Sequence, residues 1–328
     1  MEEKITLNHG NGTKASYELI RELFLPKLSN PILEELSDGA DIGEYVFSCD
    51  AFTVSPLIFP SSDIGKLSVF GTVNDICVSA AIPLYLSLSI IVEEGFYKKD
   101  LEKIIDSISL AAKISKVKIV TGDFKVVERR KIDKIFIITS GIGKRIKKAN
   151  PSMRKIKVKD KIIVTGPIAE HGTAVLLTRN KIFNTHIKSD CSSLRDILIP
   201  LWEKFPQIKF MRDPTRGGLA SVLNEISLAS KLGIRIFEEK VPIKKDVESA
   251  CEILGIDPYY LASEGQAIII AERNTAKDIL KFLKNSGYKE AEIIGEISSK
   301  IKGVVVKTIT GGERILDFSY SLTIPRIC

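Results

Sequence analysis

CDAFTVSPLIFPSSDIGKLSVFGTVNDICVSAAIP, residues 49–83, is the stretch on which the reading of the fold turns. It opens at the end of an alternating segment, YVFSCDAF, that reads as a strand. A loop then leads into a run of small and apolar residues long enough for a buried helix. Asn74 and Asp75 stand inside that helix, and such a pair is costly in apolar surroundings unless its groups are partnered or hold a metal. Asp50 stands at the strand's end, where α/β proteins bind ligands and an aspartate can hold a hard cation. The next segment, PLYLSLSIIVEE, is again strand-like. Strand, buried helix and strand in succession place the chain in the α/β (α+β) class.

Upstream, ITLNHGNGT precedes an amphipathic helix expected from Lys14, with Tyr17, Ile20, Leu23 and Phe24 at helical spacing and Pro26 ending it. Its glycine-bearing entry suits either a phosphate site or an ordinary turn, and His9 either a phosphate contact or a bond within the loop. Asp38 and Asp41 fall in a turn before YVFSC. Downstream, a helix over residues 98–115 leads to the strand VKIV and then TGDFKVVE. Asp123, Lys125 and Glu128 are expected just beyond that strand's end, as a magnesium and phosphate clamp or as a surface salt-bridge cluster. KIFIITSGIG closes the first half.

A basic run, KRIKKANPSMRKIKVKDK over residues 144–161, joins the halves. It reads first as a solvated linker, then as a docking patch for an acidic protein. Nucleic acid comes last, because no aromatic side chains interleave the charges for base stacking. The second half alternates strands and helices. His171 lies near one helix start; Arg212, Asp213, Thr215 and Arg216 lie on a loop before Gly217 and Gly218 open another helix, a possible anion site. Glu225 follows on that helix, and Glu264 precedes the strand QAIIIA. The expected domains are residues 1–148, 149–320 and a mobile tail, 321–328.

At 328 residues, two domains are expected. A 44% hydrophobic and 27% charged composition with net charge +7 is that of a soluble globular protein. Five cysteines without a CxxC pair suit a reducing cytoplasm. No signal peptide and no membrane-spanning run is expected. Neither a Walker A run nor a kinase motif set is present. Asp38, Asp50, Asp75 and Asp123, all at turn or strand-end positions or beside them, point to a carboxylate-rich magnesium site. The chain ends SLTIPRIC. Eight extended residues span about 26 Å, so Cys328 reads as a mobile carrier of a chemical group on which the rest of the chain acts.

Taken together, ITLNHGNG, the stretch from Cys49 to Asp75, TGDFKVVE, RDPTRGGLASVLNEI, CEILGIDP, SEGQ and the terminal PRIC resemble the HypE family, the carbamoyl dehydratases of [NiFe]-hydrogenase maturation. That family is related to aminoimidazole ribonucleotide synthetase and selenophosphate synthetase. The resemblance implies an N-terminal mixed sheet that forms a β-barrel with a second subunit, a C-terminal α/β domain, and ATP with magnesium between the domains. It implies that Asp38, Asp50, Asp75 and Asp123 hold magnesium and phosphate, and that Asn74 and Lys125 contact the nucleotide. Cys328 would carry the carbamoyl group that ATP-dependent dehydration turns into a thiocyanate, the cyanide source for the hydrogenase iron. Glu264 would be the base, with Lys125 a partner for the phosphoryl charge or the alternative base, and Arg326 would favour the thiolate. The implied partners are the carbamoyltransferase HypF, the HypC–HypD scaffold complex and a second copy of the chain, in the cytoplasm. Thr13, Ser61, Ser62 and Ser263 depart from the family's usual residues. Another ATP-dependent synthetase of the superfamily, or a non-enzymatic maturation scaffold, is the competing reading.

Overall fold

The computed structural model describes residues 4–10, 12–180, 186–319 and 326–328. Helix α1 (Lys14–Leu19) is capped by Thr13, whose hydroxyl accepts from Ser16 N–H and donates to the Asn8 carbonyl. A π turn over Ile20–Phe24 carries it into α2 (Leu25–Leu28). Pro26 therefore sits in the first turn of a continuing helix instead of ending one, because a first-turn residue needs no intrahelical N–H bond.

Strands β1 (Ala40–Asp41) and β2 (Tyr45–Phe52) are followed by a hairpin of β3 (Ile58–Phe59) and β4 (Ser62–Asp63). Helix α3 (Ile64–Val78), β5 (Ala81–Glu93), α4 (Lys98–Ile114), β6 (Lys118–Val127) and β7 (Ile135–Arg145) complete the first half. The sheet order is β1-β2-β7-β5-β6, with β5 and β6 parallel and the other pairs antiparallel. Asp63 caps α3 by accepting from Lys66 N–H at 2.9 Å. The helix is buried nearly all round because β2, β5 and β7, α4 and the second half all pack on it. Ser61, where the family usually has glycine, holds φ at 69°.

The sequence places TGDFKVVE beyond a strand end, but β6 runs straight through it to Val127. Gly122 permits this: a Cβ there would stand 2.0 Å from the Leu88 carbonyl oxygen on β5. β6 is an edge strand, exposed along nearly its whole length.

The second half comprises β8 (Lys161–Val164), α5 (Glu170–Asn180), α6 (Arg195–Lys204), β9 (Ile208–Arg212), α7 (Gly218–Ser230) and β10 (Gly233–Phe237). It continues with α8 (Lys245–Leu254), β11 (Ile268–Ala271), α9 (Ala276–Asn285), β12 (Glu292–Ser298), β13 (Val304–Lys307) and β14 (Glu313–Ile315). Its sheet runs β14-β13-β10-β12-β8-β11-β9. One apolar core runs through both halves. Among the described residues no helix is long and apolar enough to cross a membrane.

Of the expected tail, residues 321–325 lie outside the described residues. The last three do not point outward: Ile327 is buried and Cys328 is packed against the common core.

Candidate active site

A cleft of about 570 Å³ lies where the N-terminal helices, the ends of β1 and β2, α3 and the β9–α7 loop converge. His9, Gly10, Gly12 and Thr13 line one side; Asp38, Asp50, Asp75, Arg212, Asp213, Thr215 and Arg216 line the other. His9 Nδ1 accepts from Thr6 N–H, the bond within the loop. Gly12 is required by its backbone, at φ 67° and against Arg216, whose carbonyl oxygen would stand 2.5 Å from a Cβ.

Asp38, Asp50 and Asp75 are thus brought together, and Asp213 joins them. Ser48 donates to Asp75 and Thr72 to Asp50. Burial raises the carboxyl groups of Asp75 and Asp213 well above the ordinary range, and the neighbouring carboxylates raise them further. Burial also raises Asp38, against the pull of Arg212, which bonds it at 2.8 Å and reaches Glu225 at 2.5 Å. This crowding of hard oxygen donors is the chemistry that a magnesium ion would relieve. Among the described residues, however, no group of three or more acidic, histidine or cysteine side chains stands in metal-binding geometry.

Asp123 and Lys125 do not join the cleft. They lie on the β6 edge, solvent-exposed and paired with each other at 3.1 Å. The set of four aspartates expected from the sequence is therefore not assembled within one chain, because β6 is a strand at the far edge of the sheet from β1 and β2. Asn74 does not line the cleft either. Its fully buried amide donates to the Ser192 and Glu264 carbonyls and accepts from Leu194 N–H, tying α3 to the second half. Those bonds satisfy it, in place of the nucleotide contact that the resemblance implied.

Cys328 does not line the cleft itself. The charges acting most strongly on its thiol are Arg216, Glu264, Asp50 and Asp213, and all but Glu264 line the cleft. Burial pushes the thiol up to about 12, with Arg216 opposing and the carboxylates adding. Arg326, expected to favour the thiolate, turns away, donating to the Thr53 carbonyl, pairing with Asp133 and lying over the Phe136 ring. Arg216 is instead the cation whose charge acts on the thiol.

Glu264 is 2% exposed, and its Oε1 has no hydrogen-bond partner among the described residues. Burial, then Asp213 and Asp190, raise its carboxyl well above the ordinary range. Its backbone is fixed by Asp190, which accepts from both Glu264 N–H and Gly265 N–H. Gly265 has no room for a side chain, since a Cβ would stand 1.9 Å from the Asp190 carbonyl oxygen. Ser263, the other departure beside it, accepts from Ala169 N–H at 2.8 Å. Sequence reasoning missed Asp190, which lies in a segment without periodicity or motif. Arg216 and Asp213 are expected only on a loop before a possible anion site, and two arginines and an aspartate ahead of a Gly-Gly helix start are the signal that links them to the cleft.

Residues 37–144 match the N-terminal domain, and residues 157–307 the C-terminal domain, of AIR synthase related protein. Carbamoyl dehydratase HypE of Bradyrhizobium diazoefficiens is 41% identical over 99% of this chain and 96% of its own. The chain belongs to the HypE family. A HypE structure in complex with ATP is 39% identical, covers 99% of this chain and 100% of its own, and superposes with a TM-score of 0.84. A crystal structure of a HypE–HypF complex is 46% identical over 92% of this chain and 99% of its own, with a TM-score of 0.89. The mixed α/β architecture expected from the sequence is that of the family.

Proposed function

We propose that this chain is an ATP-dependent carbamoyl dehydratase of [NiFe]-hydrogenase maturation whose substrate is carried on its own C-terminal cysteine. The observation that carries this is the position of Cys328, packed into the fold with the charges of Arg216 and of the buried Glu264, and of the cleft-lining Asp50 and Asp213, acting on its thiol. Family membership and the ATP complex of a relative support ATP as the co-substrate in that cleft.

In the reaction a carbamoyl thioester, S–C(=O)–NH₂, becomes a thiocyanate, S–C≡N. The amide oxygen takes the γ-phosphoryl group and leaves as phosphate, and both N–H protons depart. Glu264, buried and with no hydrogen-bond partner at Oε1 among the described residues, would take a proton from the amide nitrogen. Arg216 would offset negative charge that develops at the half-buried sulfur. Magnesium held among Asp38, Asp50 and Asp75 would supply neutralising charge to the phosphates.

We further propose that the chain works as a homodimer. Val120, Phe124 and Val126 on the β6 edge are each more than half exposed, a greasy edge that a second copy would cover by extending the sheet toward a barrel. Pairing there would bring Asp123 and Lys125 of one chain to the site of the other. HypF as carbamoyl donor accords with the HypE–HypF complex, and a HypC–HypD complex would accept the cyanide.

The test is a mass spectrum of the C-terminal peptide after incubation with carbamoyl phosphate, carbamoyltransferase and ATP. A carbamoyl adduct that loses one water only when ATP is present is expected. An adduct that persists unchanged with ATP overturns the proposal and favours the scaffold reading.

A further inference from the structure

Three main-chain carbonyls end this chain, and each is met by a donor from elsewhere in the fold. The segment at residues 326–328 runs antiparallel to residues 53–55: Thr53 N–H donates to the Cys328 carbonyl at 2.9 Å and Ser55 N–H to the Arg326 carbonyl at 3.2 Å. Thr53 Oγ1 adds a second bond to the Cys328 carbonyl. Helix α5 supplies the remainder. Arg179 donates through Nε to the Ser55 carbonyl at 2.7 Å and through Nη2 to the Arg326 carbonyl at 2.9 Å, so one guanidinium clips both strands. Two turns earlier on the same helix, His171 Nε2 lies 2.8 Å from the Ile327 carbonyl.

A carbonyl only accepts, so His171 carries its proton on Nε2, and Nδ1 accepts from the Ser189 hydroxyl at 2.9 Å. Phe59 fixes the ring edge-on, with centroids 5.2 Å apart. Burial holds the imidazole down at about 4, so it stays neutral at working pH. Ser189 and Phe59 act on the ring independently of the tail, so the receiving donor is preorganised.

We infer that His171 and Arg179 form a latch, a pair of positioning residues that hold the last three residues by their main-chain carbonyls and so set where the Cys328 sulfur stands relative to Glu264 and Arg216. The consequence for catalysis rests on the reading above; the latch itself does not. Because it grips the main chain and not the sulfur, it accepts the tail whether the thiol is free, carbamoylated or cyanated. Loading and unloading are then governed by competition between the latch and the partner protein for the same segment. Weakening the latch speeds access to the sulfur and slows dehydration.

The test is alkylation of the free thiol at pH 8 in the absence of ATP, followed cysteine by cysteine by peptide mass spectrometry. In the parent protein Cys328 reacts slowly, whereas in Arg179→Leu and His171→Leu its rate rises about 10-fold, as loss of a charged or buried hydrogen bond requires. Cys77 and Cys251 are buried in the core and report folding; their protection must be unchanged. Arg179 is only partly buried near the end of α5, so if His171→Leu exposes those core thiols, the Arg179 variant decides. His171→Gln, which keeps an N–H donor, restores slow alkylation. With carbamoylated protein, Arg179→Leu lowers the single-turnover dehydration rate and leaves the KM for ATP unchanged. Unaltered Cys328 alkylation in Arg179→Leu overturns the latch, whereas altered alkylation with no dehydration in any protein would overturn only the dehydratase reading.

Discussion

Asn74 on α3 donates from Nδ2 to the Glu264 carbonyl at 3.3 Å, joining the buried helix of the first half to the loop that presents the proposed base. The same amide holds Ser192 and Leu194, so it is a cross-link between the halves. Asn74→Ala would strand a buried N–H and two buried carbonyls. We expect destabilisation of about 2–4 kcal/mol by urea unfolding. Unchanged stability would show that the cross-link contributes nothing.

Glu264 bears on the pH dependence of the reaction. Its carboxyl is raised by burial and by Asp213 and Asp190, so the proton-accepting form appears only above the ordinary carboxylate range. Single-turnover dehydration should therefore rise with pH through a midpoint above the ordinary carboxylate range. Glu264→Gln removes that limb and lets the carbamoyl adduct accumulate. A Gln variant that dehydrates with the parent profile would remove Glu264 as the base.

Arg216 is the cation acting on the sulfur, and its loss leaves the carboxylates of Asp50, Asp213 and Glu264 unopposed around it. Arg216→Met should lower the dehydration rate by about 10²-fold, with Arg216→Lys recovering part of it. The measurement is rapid-quench kinetics on the carbamoylated protein. A rate within twofold of the parent would exclude an electrostatic role.

Asp75 lies in the cleft and Asp123 on the sheet edge. If two copies share each site, Asp75→Asn and Asp123→Asn are both inactive alone. Mixing them under subunit exchange should restore about a quarter of parent activity, since half the dimers then hold one intact site of two. No restoration would place both residues' roles within one chain.

Stability should also respond to acid and base through the cleft. Asp75 and Asp213 have raised carboxyls, so their burial is tolerated while they are protonated and becomes unfavourable as pH rises through those raised values. Asp75→Asn should thus flatten the loss of thermal stability as pH rises above the ordinary carboxylate range in the protein without nucleotide. An unchanged slope in differential scanning calorimetry would show that this carboxyl does not titrate differently on folding.

Local pattern was enough to place most of the elements and the nature of the site. Alternating apolar residues marked β2 and β5, an unbroken apolar run marked α3, and its Asn-Asp pair marked a place where buried polar groups had to be satisfied. The terminal cysteine and the aspartates at turns and strand ends suggested a group carrier and a magnesium site, and the resemblance to the HypE family named the reaction. What satisfied each polar group was decided only by long-range folding. Asn74 meets Ser192, Leu194 and Glu264 across more than a hundred residues of chain, and no periodicity encodes such a partner. Gly122 lets β6 run on as an edge strand, which carries Asp123 and Lys125 away from the other carboxylates. Cys328 turns inward because Thr53, His171 and Arg179, from two separate elements, meet the carbonyls of its segment. Hydrogen-bond partners converge in space, not along the chain, and that is why Arg326 is held by Thr53 and Asp133 while the charge of Arg216, distant in sequence, acts on the thiol.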